Sequence, residues 1–327
     1  MTGLINSRRY ACPSMSPQGA ALTDPFGREI RSLRISVTQR CDLACDHCHR
    51  EGQTPSSDEM SPAEVERLVR IAAELGVRKA KLTGGEPLVR DDITDIVSRI
   101  SPHLREVSMT TNGTRLRELA ADLKKAGLRR VNVSLHTLDP SRYRAICGRD
   151  ALDRVIQGIR AAREAGLDPV KVNMVVLRSI NDDEIEPMLR FCGKAGAILQ
   201  LIEYESDREG ANGCTFARRY YSLAGVEDSL RARAAEVSVN ELHRRRRYRI
   251  PDNGTPAEVE VVRPMHNTEF CANCTRMRLS SDGLLKPCLL DGDGTVDVLT
   301  PLRSGASDAT LAELFARAVG NRRPYWR

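Results

Sequence analysis

Nothing in this 327-residue chain approaches the roughly 18 consecutive apolar residues that a membrane-spanning helix needs, which argues against an integral membrane protein. The first residues, Met1-Thr-Gly-Leu-Ile-Asn-Ser-Arg-Arg9, lack the apolar core of a secretory signal. Low-complexity tracts and internal repeats are missing as well. Charge of one sign is modest: a net +6 over this length requires no nucleic acid, although it suits a compact anionic ligand if it is focused in one cleft. The single dense basic run, Arg244-Arg-Arg-Arg247, reads as a solvated helix end rather than a nucleic-acid patch. With no secretory segment, ten cysteines point to a reducing, cytoplasmic setting and to metal ligation rather than a disulfide framework.

What is there starts with three thiols in eight residues, Cys41-Asp-Leu-Ala-Cys45-Asp-His-Cys48. They follow Leu33-Arg-Ile-Ser-Val37, where Leu33, Ile35 and Val37 alternate on one face of a strand. The thiols therefore sit in a loop at a strand's C-terminal end, where α/β folds place their chemistry. Three ligands leave a tetrahedral or cubane site one position short.

Residues 1–31 show no periodicity and carry Pro13, Pro17, Gly19, Pro25 and Gly27, as expected of an N-terminal arm laid on the body. Ser61-Pro-Ala-Glu64 is a capping box that predicts a helix to about residue 75. Strands are expected near 77–83, 106–110, 130–135, 171–176 and 198–203, with helices near 92–100, 115–125, 151–164 and 182–193 between them. No tight hairpin joins any two of these strands, so the pattern is parallel βα units with crossovers. Six units suit either an open doubly wound sheet or an incomplete barrel. Past about residue 206 the rhythm breaks: 206–226 reads as a loop, Ser238-Val-Asn-Glu241 as the cap of a short helix, and Asp252-Asn-Gly254 as a turn between strands 248–251 and 259–262. A last helix is expected near 309–318.

A second group, Cys271-Ala-Asn-Cys274 and Cys288, brackets Arg276-Met-Arg278 and an Asp282-Gly283 turn. If that turn is a three-residue loop with Gly283 left-handed, Cys288 falls opposite Arg276, and both arginines share its face. Structural zinc, completed by His47, His49 or His266, is the plain alternative for either group. Crowding of three thiols into one loop suits an iron–sulfur cubane better. Cys12, Cys147, Cys192 and Cys214 have no partner spacing, and Cys192 reads as core.

The C-x₃-C-x₂-C loop, followed after the next strand by Gly84-Gly85-Glu86-Pro87, resembles the radical S-adenosylmethionine superfamily. Adding Thr275-Arg-Met-Arg278 within C-x₂-C-x₁₃-C, together with Thr110-Thr-Asn-Gly113, Val131-Asn-Val-Ser-Leu135 and Lys171-Val-Asn173, resembles the GTP 3′,8-cyclases of molybdenum cofactor biosynthesis. The likeness runs from about residue 33 to about 290. It implies an incomplete (β/α)₆ TIM-type barrel over 32–205 and a smaller C-terminal extension, 206–327, that carries a second cluster. Cys41, Cys45 and Cys48 would hold one 4Fe-4S cluster that binds S-adenosylmethionine, with Gly84, Gly85, Ser134 and His47 around that cofactor. Cys271, Cys274 and Cys288 would hold another cluster facing the guanine, and Arg34, Lys81, Thr110, Lys171, Arg276 and Arg278 would contact GTP. A 5′-deoxyadenosyl radical would take the ribose H3′, and the C3′ radical would attack guanine C8. Hydrogen abstraction from ribose is beyond any side chain, so a cofactor must carry it.

The resemblance further implies a ferredoxin- or flavodoxin-type electron donor, a downstream cyclic pyranopterin monophosphate synthase and room for a homodimer. Lys81 stands where bacterial members have arginine, which keeps the charge but loses the bidentate fork. His47 replaces a tyrosine, Glu205 a methionine, and Pro324-Tyr-Trp-Arg327 a Gly-Gly terminus; His49-Arg-Glu-Gly52 is similar to archaeal members. The rivals are a peptide-modifying maturase with auxiliary clusters and a non-catalytic iron–sulfur or zinc protein.

Overall fold

Leu33, Ile35, Leu82, Met109, Val131, Val133, Val172 and Met174 are all buried on the outward, helix-covered side of a parallel sheet. Their strand partners at alternate positions, such as Arg34, Lys81, Asn132 and Asn173, turn to the other side and touch one another. The computed structural model describes residues 21–53, 55–206, 210, 213–239, 244–251, 255–265, 267–290 and 292–324. The first half alternates β1 (Ser32–Ser36), α1 (Pro62–Glu74), β2 (Lys79–Thr83), α2 (Ile93–Ile100), β3 (Glu106–Thr111), α3 (Leu116–Lys125) and β4 (Leu128–Ser134). It continues through α4 (Pro140–Cys147), α5 (Leu152–Glu164), β5 (Val170–Val176), α6 (Ile185–Ala195) and β6 (Ile198–Glu203). The capping box at the start of α1 forms as expected, with Ser61 N–H donating to Glu64 at 2.7 Å and Glu64 N–H to Ser61 Oγ at 3.3 Å.

The second half holds α7 (Cys214–Arg219), α8 (Ala224–Arg233), β7 (Glu236–Val239), β8 (Arg246–Ile250) and β9 (Ala257–Val262). After these come α9 (Thr268–Ala272), β10 (Arg276–Leu279), β11 (Leu284–Lys286), β12 (Val296–Asp297), α10 (Leu299–Arg303) and α11 (Asp308–Gly320). The twelve strands among the described residues form one sheet in the order β12-β11-β10-β1-β2-β3-β4-β5-β6-β9-β8-β7. From β10 to β9 every pairing is parallel, and antiparallel pairs close both ends. Strands β1–β6 are added in sequence order without a reversal. A doubly wound sheet reverses at a switch point, so the strand order selects the barrel-type alternative. One-handed crossovers then keep the helices on the convex side and leave the concave side for polar groups.

The structure bears on three expectations here. Ser238 and Val239 lie inside β7, paired with Arg247 and Arg246, and the short helix expected after them falls on 240–243, outside the described residues. The segment 206–226 is not all loop, since α7 and the start of α8 fall within it. The sequence reading also missed α4, which Pro140 opens and a left-handed Gly148 ends. The 252–254 turn, His266 and Cys12 lie outside the described residues, as do the last three residues of the chain.

The β10–β11 hairpin takes the expected form. Ser280 N–H donates to Leu284 O at 2.9 Å, leaving a three-residue loop in which Gly283 has φ +75°. Arg278 pairs with Lys286 and Leu279 with Leu285. Continued toward the chain's thiols, that register sets Cys288 across from Arg276. A Cβ at Gly283 would stand 2.3 Å from Leu299 Cβ, so the turn is closed to any other residue. Gly283→Ala should lose about 2 kcal/mol in urea unfolding, from left-handed strain and overpacking together; an unchanged midpoint would contradict the tight turn.

Candidate functional site

The C-terminal ends of β1–β4 deliver, in turn, the first thiol loop, Gly84-Gly85-Glu86, Thr111-Asn-Gly113 and Ser134. The thiol loop is fastened on two sides. Ala44 N–H and Asp46 N–H donate to the Cys147 and Ile146 carbonyls at the end of α4, at 3.0 and 3.1 Å. Asp42 accepts from Asn112 Nδ2 at 2.7 Å and from Thr114 Oγ1 at 2.6 Å. Backbone N–H groups of Leu43 and Arg50 point at Cys41 and Cys48 Sγ, each at 3.4 Å, a contact that favours the thiolate form. As free thiols, Cys41 is pushed up to about 11 by burial, and Cys45 rises through its hydrogen bond with Cys147 and then burial. Ligation by metal reverses this, because a coordinating thiol loses its proton.

Gly84 and Gly85 serve a second purpose beyond ligand access. A Cβ on Gly85 would meet Arg40 O at 2.3 Å and Gln39 O at 2.5 Å, and one on Gly84 would meet Thr38 O at 2.4 Å. Gly85 and Glu86 N–H donate at 2.8 Å to Thr38 and Arg40 carbonyls, so the two glycines clamp the base of the thiol loop. Glu86 itself is buried beneath, raised to about 7 by burial while it accepts from Thr111 Oγ1 and the Asn112 N–H, both at 2.6 Å. His47 turns inward, its ring edge-on to His136 with centroids 4.4 Å apart.

On the concave side the cations line up. Arg278, Arg34 and Lys81 are in register across β10, β1 and β2. Like charges at directly opposed positions repel, so such a row needs a counter-ion. Glu51 supplies it, reaching in from the chain just after Cys48 to sit 2.6 Å from Arg34 and 2.7 Å from Arg278, and accepting from Thr83 Oγ1 at 2.9 Å. Burial alone would raise this carboxyl, yet Arg34 and Arg278 hold it down to about 2. Arg50 and Glu51 both have positive φ, +48° and +53°, a cost that the ion pairs offset. Burial, with Arg34 and Arg278 nearby, lowers Arg276 to about 9, and burial with Arg130, Arg34, Arg276 and Lys171 pushes Lys81 well down. Lys81 donates to Asn132 at 2.8 Å, and Thr110 is registered beside Asn132. Asn132 continues to Asn173 at 3.0 Å and Gln200 at 3.1 Å. Across the cavity, Lys171 donates to Glu260 at 2.6 Å; burial lowers Lys171 to about 8.

The second thiol group is held by both ends of the described chain. Asp24, almost fully buried, pairs with Arg28 at 2.6 Å and with Arg322 at 2.8 Å. Arg28 then donates to Cys271 O at 3.0 Å and Arg322 to Cys274 O at 2.9 Å, while Arg28 also holds the Arg323 and Pro324 carbonyls. Arg276 and Arg322 flank Cys274, and Lys286 flanks Cys288, so the second group lies among cations. Gln53 accepts from Ser281 N–H at 3.1 Å, which with Glu51–Arg278 joins the loop after the first triad to the hairpin of the second.

All six proposed ligands, Cys41, Cys45, Cys48, Cys271, Cys274 and Cys288, are free thiols, as are the other described cysteines. Among the described residues no three Cys, His, Asp or Glu side chains gather closely enough to hold a single ion. A cubane asks for something looser, each thiolate binding its own iron. The donor sets fit that group: three soft sulfurs each, with N–H or cationic neighbours. The structure thus brings together every residue singled out for the anionic substrate. The sequence reading missed Glu51, Asp24, Cys147 and the role of the 244–247 run. Arg244 is helical, but the run then passes into β8, with Arg245 and Arg247 facing Glu260 on the concave side. Alternation of side chains was invisible because all four residues are arginine.

Two outcomes follow. Gly85→Ala displaces the backbone it presses on, so purified protein should carry less iron while Gly225→Ala, in open space, changes nothing. Burial alone would raise Glu260, but Lys171 and Arg245 bring it to about 2. A carboxylate held below its usual 4.5 stabilises the fold above pH 4.5 and loses that contribution as pH falls toward 2. Glu260→Gln should therefore cost about 3 kcal/mol at pH 7 in unfolding of cluster-free protein, the gap from the parent closing between pH 4.5 and 2.

The family described as Radical SAM superfamily matches residues 35–192, and the family described as Molybdenum Cofactor Synthesis C matches residues 197–327. The protein named "Probable GTP 3′,8-cyclase" from Pyrococcus abyssi (strain GE5 / Orsay) is 54% identical over 93% of this chain and 99% of its own length. The same name is carried by a Thermococcus kodakarensis protein, 53% identical over 94% of this chain and 100% of its own, and by one from Methanothermobacter marburgensis, 48% identical over 93% and 98%. Among solved structures, Streptococcus suis SuiB bound to precursor peptide SuiA superposes with a TM-score of 0.59 at 21% identity, over 80% of this chain and 60% of that one, a likeness of fold. Native anSMEcpe with bound AdoMet gives 0.53 at 15% identity, over 87% and 80%. By its two matched regions and its near-full-length relatives, the chain belongs to the GTP 3′,8-cyclase family of the radical S-adenosylmethionine superfamily.

Proposed function

We propose that this enzyme converts GTP to (8S)-3′,8-cyclo-7,8-dihydroguanosine 5′-triphosphate, the first step of molybdenum cofactor biosynthesis. The observation that carries it is the Glu51–Arg278 pair, 2.7 Å long, which joins the loop of one three-thiol group to the hairpin of the other beside a row of cations. Cys41, Cys45 and Cys48 would hold one 4Fe-4S cluster, and Cys271, Cys274 and Cys288 a second. With S-adenosylmethionine bound, the first cluster would supply the single-electron chemistry that yields a 5′-deoxyadenosyl radical.

The chain's own residues bind and orient. Gly84 and Gly85 fix the base of the cluster loop, and the ends of β2 and β4 offer Gly85 and Ser134 to S-adenosylmethionine, with His47 alongside. Arg34, Lys81, Thr110, Lys171, Arg276 and Arg278 grip GTP, arginine forks suiting phosphate oxygens. A fixed C3′ beside the radical's source makes hydrogen transfer an intramolecular event in effect. Closing the C3′–C8 bond leaves one unpaired electron on the purine, so one electron and one proton must enter to give the closed-shell product. A ferredoxin- or flavodoxin-type donor is the expected source of electrons, and a cyclic pyranopterin monophosphate synthase the expected consumer of product. The division into a barrel over 32–205 and a cluster-carrying extension over 206–327 belongs to the same proposal, as do a cytoplasmic location and a homodimeric state. The absence of a membrane-crossing helix among the described residues accords with it.

Anaerobically purified protein should hold about eight irons, two cubanes of four, and Cys271→Ser about half. Incubation with GTP, S-adenosylmethionine and dithionite should give 5′-deoxyadenosine and a cyclised GTP product. Intact GTP with only abortive cofactor cleavage would overturn the substrate, and zinc in place of iron the whole reading.

A further inference from the structure

The arginine run that leads into β8 is sorted by the sheet. Arg246 points to the helix-covered side, 43% exposed and 3.6 Å from Glu227, where Tyr248 also donates to Glu227. Arg247 is registered with Glu260 and reaches it at 2.7 Å, and Arg245, 15% exposed, stands 3.7 Å from the same carboxylate. Lys171 already satisfies Glu260 at 2.6 Å. One carboxylate needs one buried cation, and gathering three around it costs repulsion that a purely structural role does not explain.

On the opposite wall Arg34 and Arg278 stand around Glu51, and Arg276 lies beside these two arginines. The walls are near enough for Arg245 to act on Arg276. Arg34, Lys81, Arg276, Arg278, Lys171, Arg245 and Arg247 outnumber Glu51, Glu260 and Glu258, which Arg247 also reaches at 3.2 Å, so this side of the sheet is rich in positive charge. A nucleoside triphosphate carries about four negative charges near neutral pH, its terminal phosphate titrating near 6. We infer that Arg245 and Arg247 bind the polyphosphate of the substrate, forming with Lys171 the second wall of its site, with Glu260 as the resident counter-ion that shares its cations when phosphate enters. This rests on the reading of the substrate as GTP, and it adds two contacts that the sequence motifs do not contain.

The test is anaerobic equilibrium binding of GTP and GMP to cluster-loaded enzyme, with thermal unfolding in parallel. Arg245→Gln and Arg247→Gln should each weaken GTP about tenfold or more and GMP far less, so that the preference for the triphosphate shrinks. Arg245→Lys should keep most of it, and Arg246→Gln, on the other face, all of it. Glu260→Gln provides a second route: with the counter-ion neutralised, GTP should bind more tightly. Parental GTP affinity in both glutamine variants, or equal loss of GTP and GMP with a lowered melting temperature, overturns the assignment. A parent enzyme that prefers another nucleoside triphosphate, yet loses it in Arg245→Gln, keeps the phosphate site and removes guanine; one that binds no triphosphate removes both.

Discussion

Like charge stacked in register across a parallel sheet is the constraint on which the rest of this structure turns. Arg278, Arg34 and Lys81 occupy adjacent rungs of β10, β1 and β2 on a side of the sheet that water reaches poorly. In a sheet built only for stability those rungs would be apolar. Two buried carboxylates offset the cations on this side of the sheet, Glu51 within the row and Glu260 beside Lys171, Arg245 and Arg247. Glu51 enters from the cluster loop through two left-handed residues, and Glu260 is delivered by β9, the strand that extends the parallel sheet past β6. Each is outnumbered by its cations, which suits this side of the sheet to an anion. The fold therefore stores an electrostatic demand that a substrate can meet, the sense in which an enzyme preorganises charge before its ligand arrives.

The same economy of parts explains the chain's ends. The hairpin that carries Arg276 and Arg278 is short, and its second triad sits on a five-residue helix and a loop. Such a platform is too small to hold three thiols by packing alone. Asp24, Arg28 and Arg322 supply the rigidity, two guanidinium groups sharing one buried carboxylate and capping the Cys271 and Cys274 carbonyls. Removing one member of such a group leaves a buried charge without a partner, which is why these triads of side chains act as a unit. The first triad has a different support, the backbone of α4's last turn and the two glycines after β2.

How much of this was legible follows from what each signal depends on. The βα rhythm could be read because the outward residues of β1–β6 alternate, Ser61-Pro62 opens α1, and Gly76, Gly127, Gly166 and Gly196 follow α1, α3, α5 and α6. The choice between doubly wound sheet and barrel could not, since strand order is a property of long-range pairing. Gly283 narrowed the β10–β11 turn without settling it, since a two-residue Asp-Gly turn also takes a left-handed glycine, and the Ser280–Leu284 hydrogen bond makes the loop three residues long. Ser238 is placed by a long-range signal instead, the antiparallel ladder with β8, and the helix expected after it falls on 240–243, outside the described residues. Glu51 left no trace beyond its place after His49-Arg50, as its partners lie on β1 and β10, far along the chain. Arg245 and Arg247 were hidden by uniform charge, and Cys147 by having no neighbour in sequence that shares its chemistry. Motif-bearing residues were thus readable, and the residues that position or neutralise them were not.

The central claim is that the two thiol groups and the cations between them set the C3′ hydrogen of GTP against the radical drawn from S-adenosylmethionine. The most direct measurement uses GTP deuterated at C3′ and follows the label by mass spectrometry in anaerobic turnover. The account predicts that 5′-deoxyadenosine gains one deuterium as GTP is consumed. Unlabelled 5′-deoxyadenosine formed while GTP disappears, or label arriving from another carbon, would contradict it.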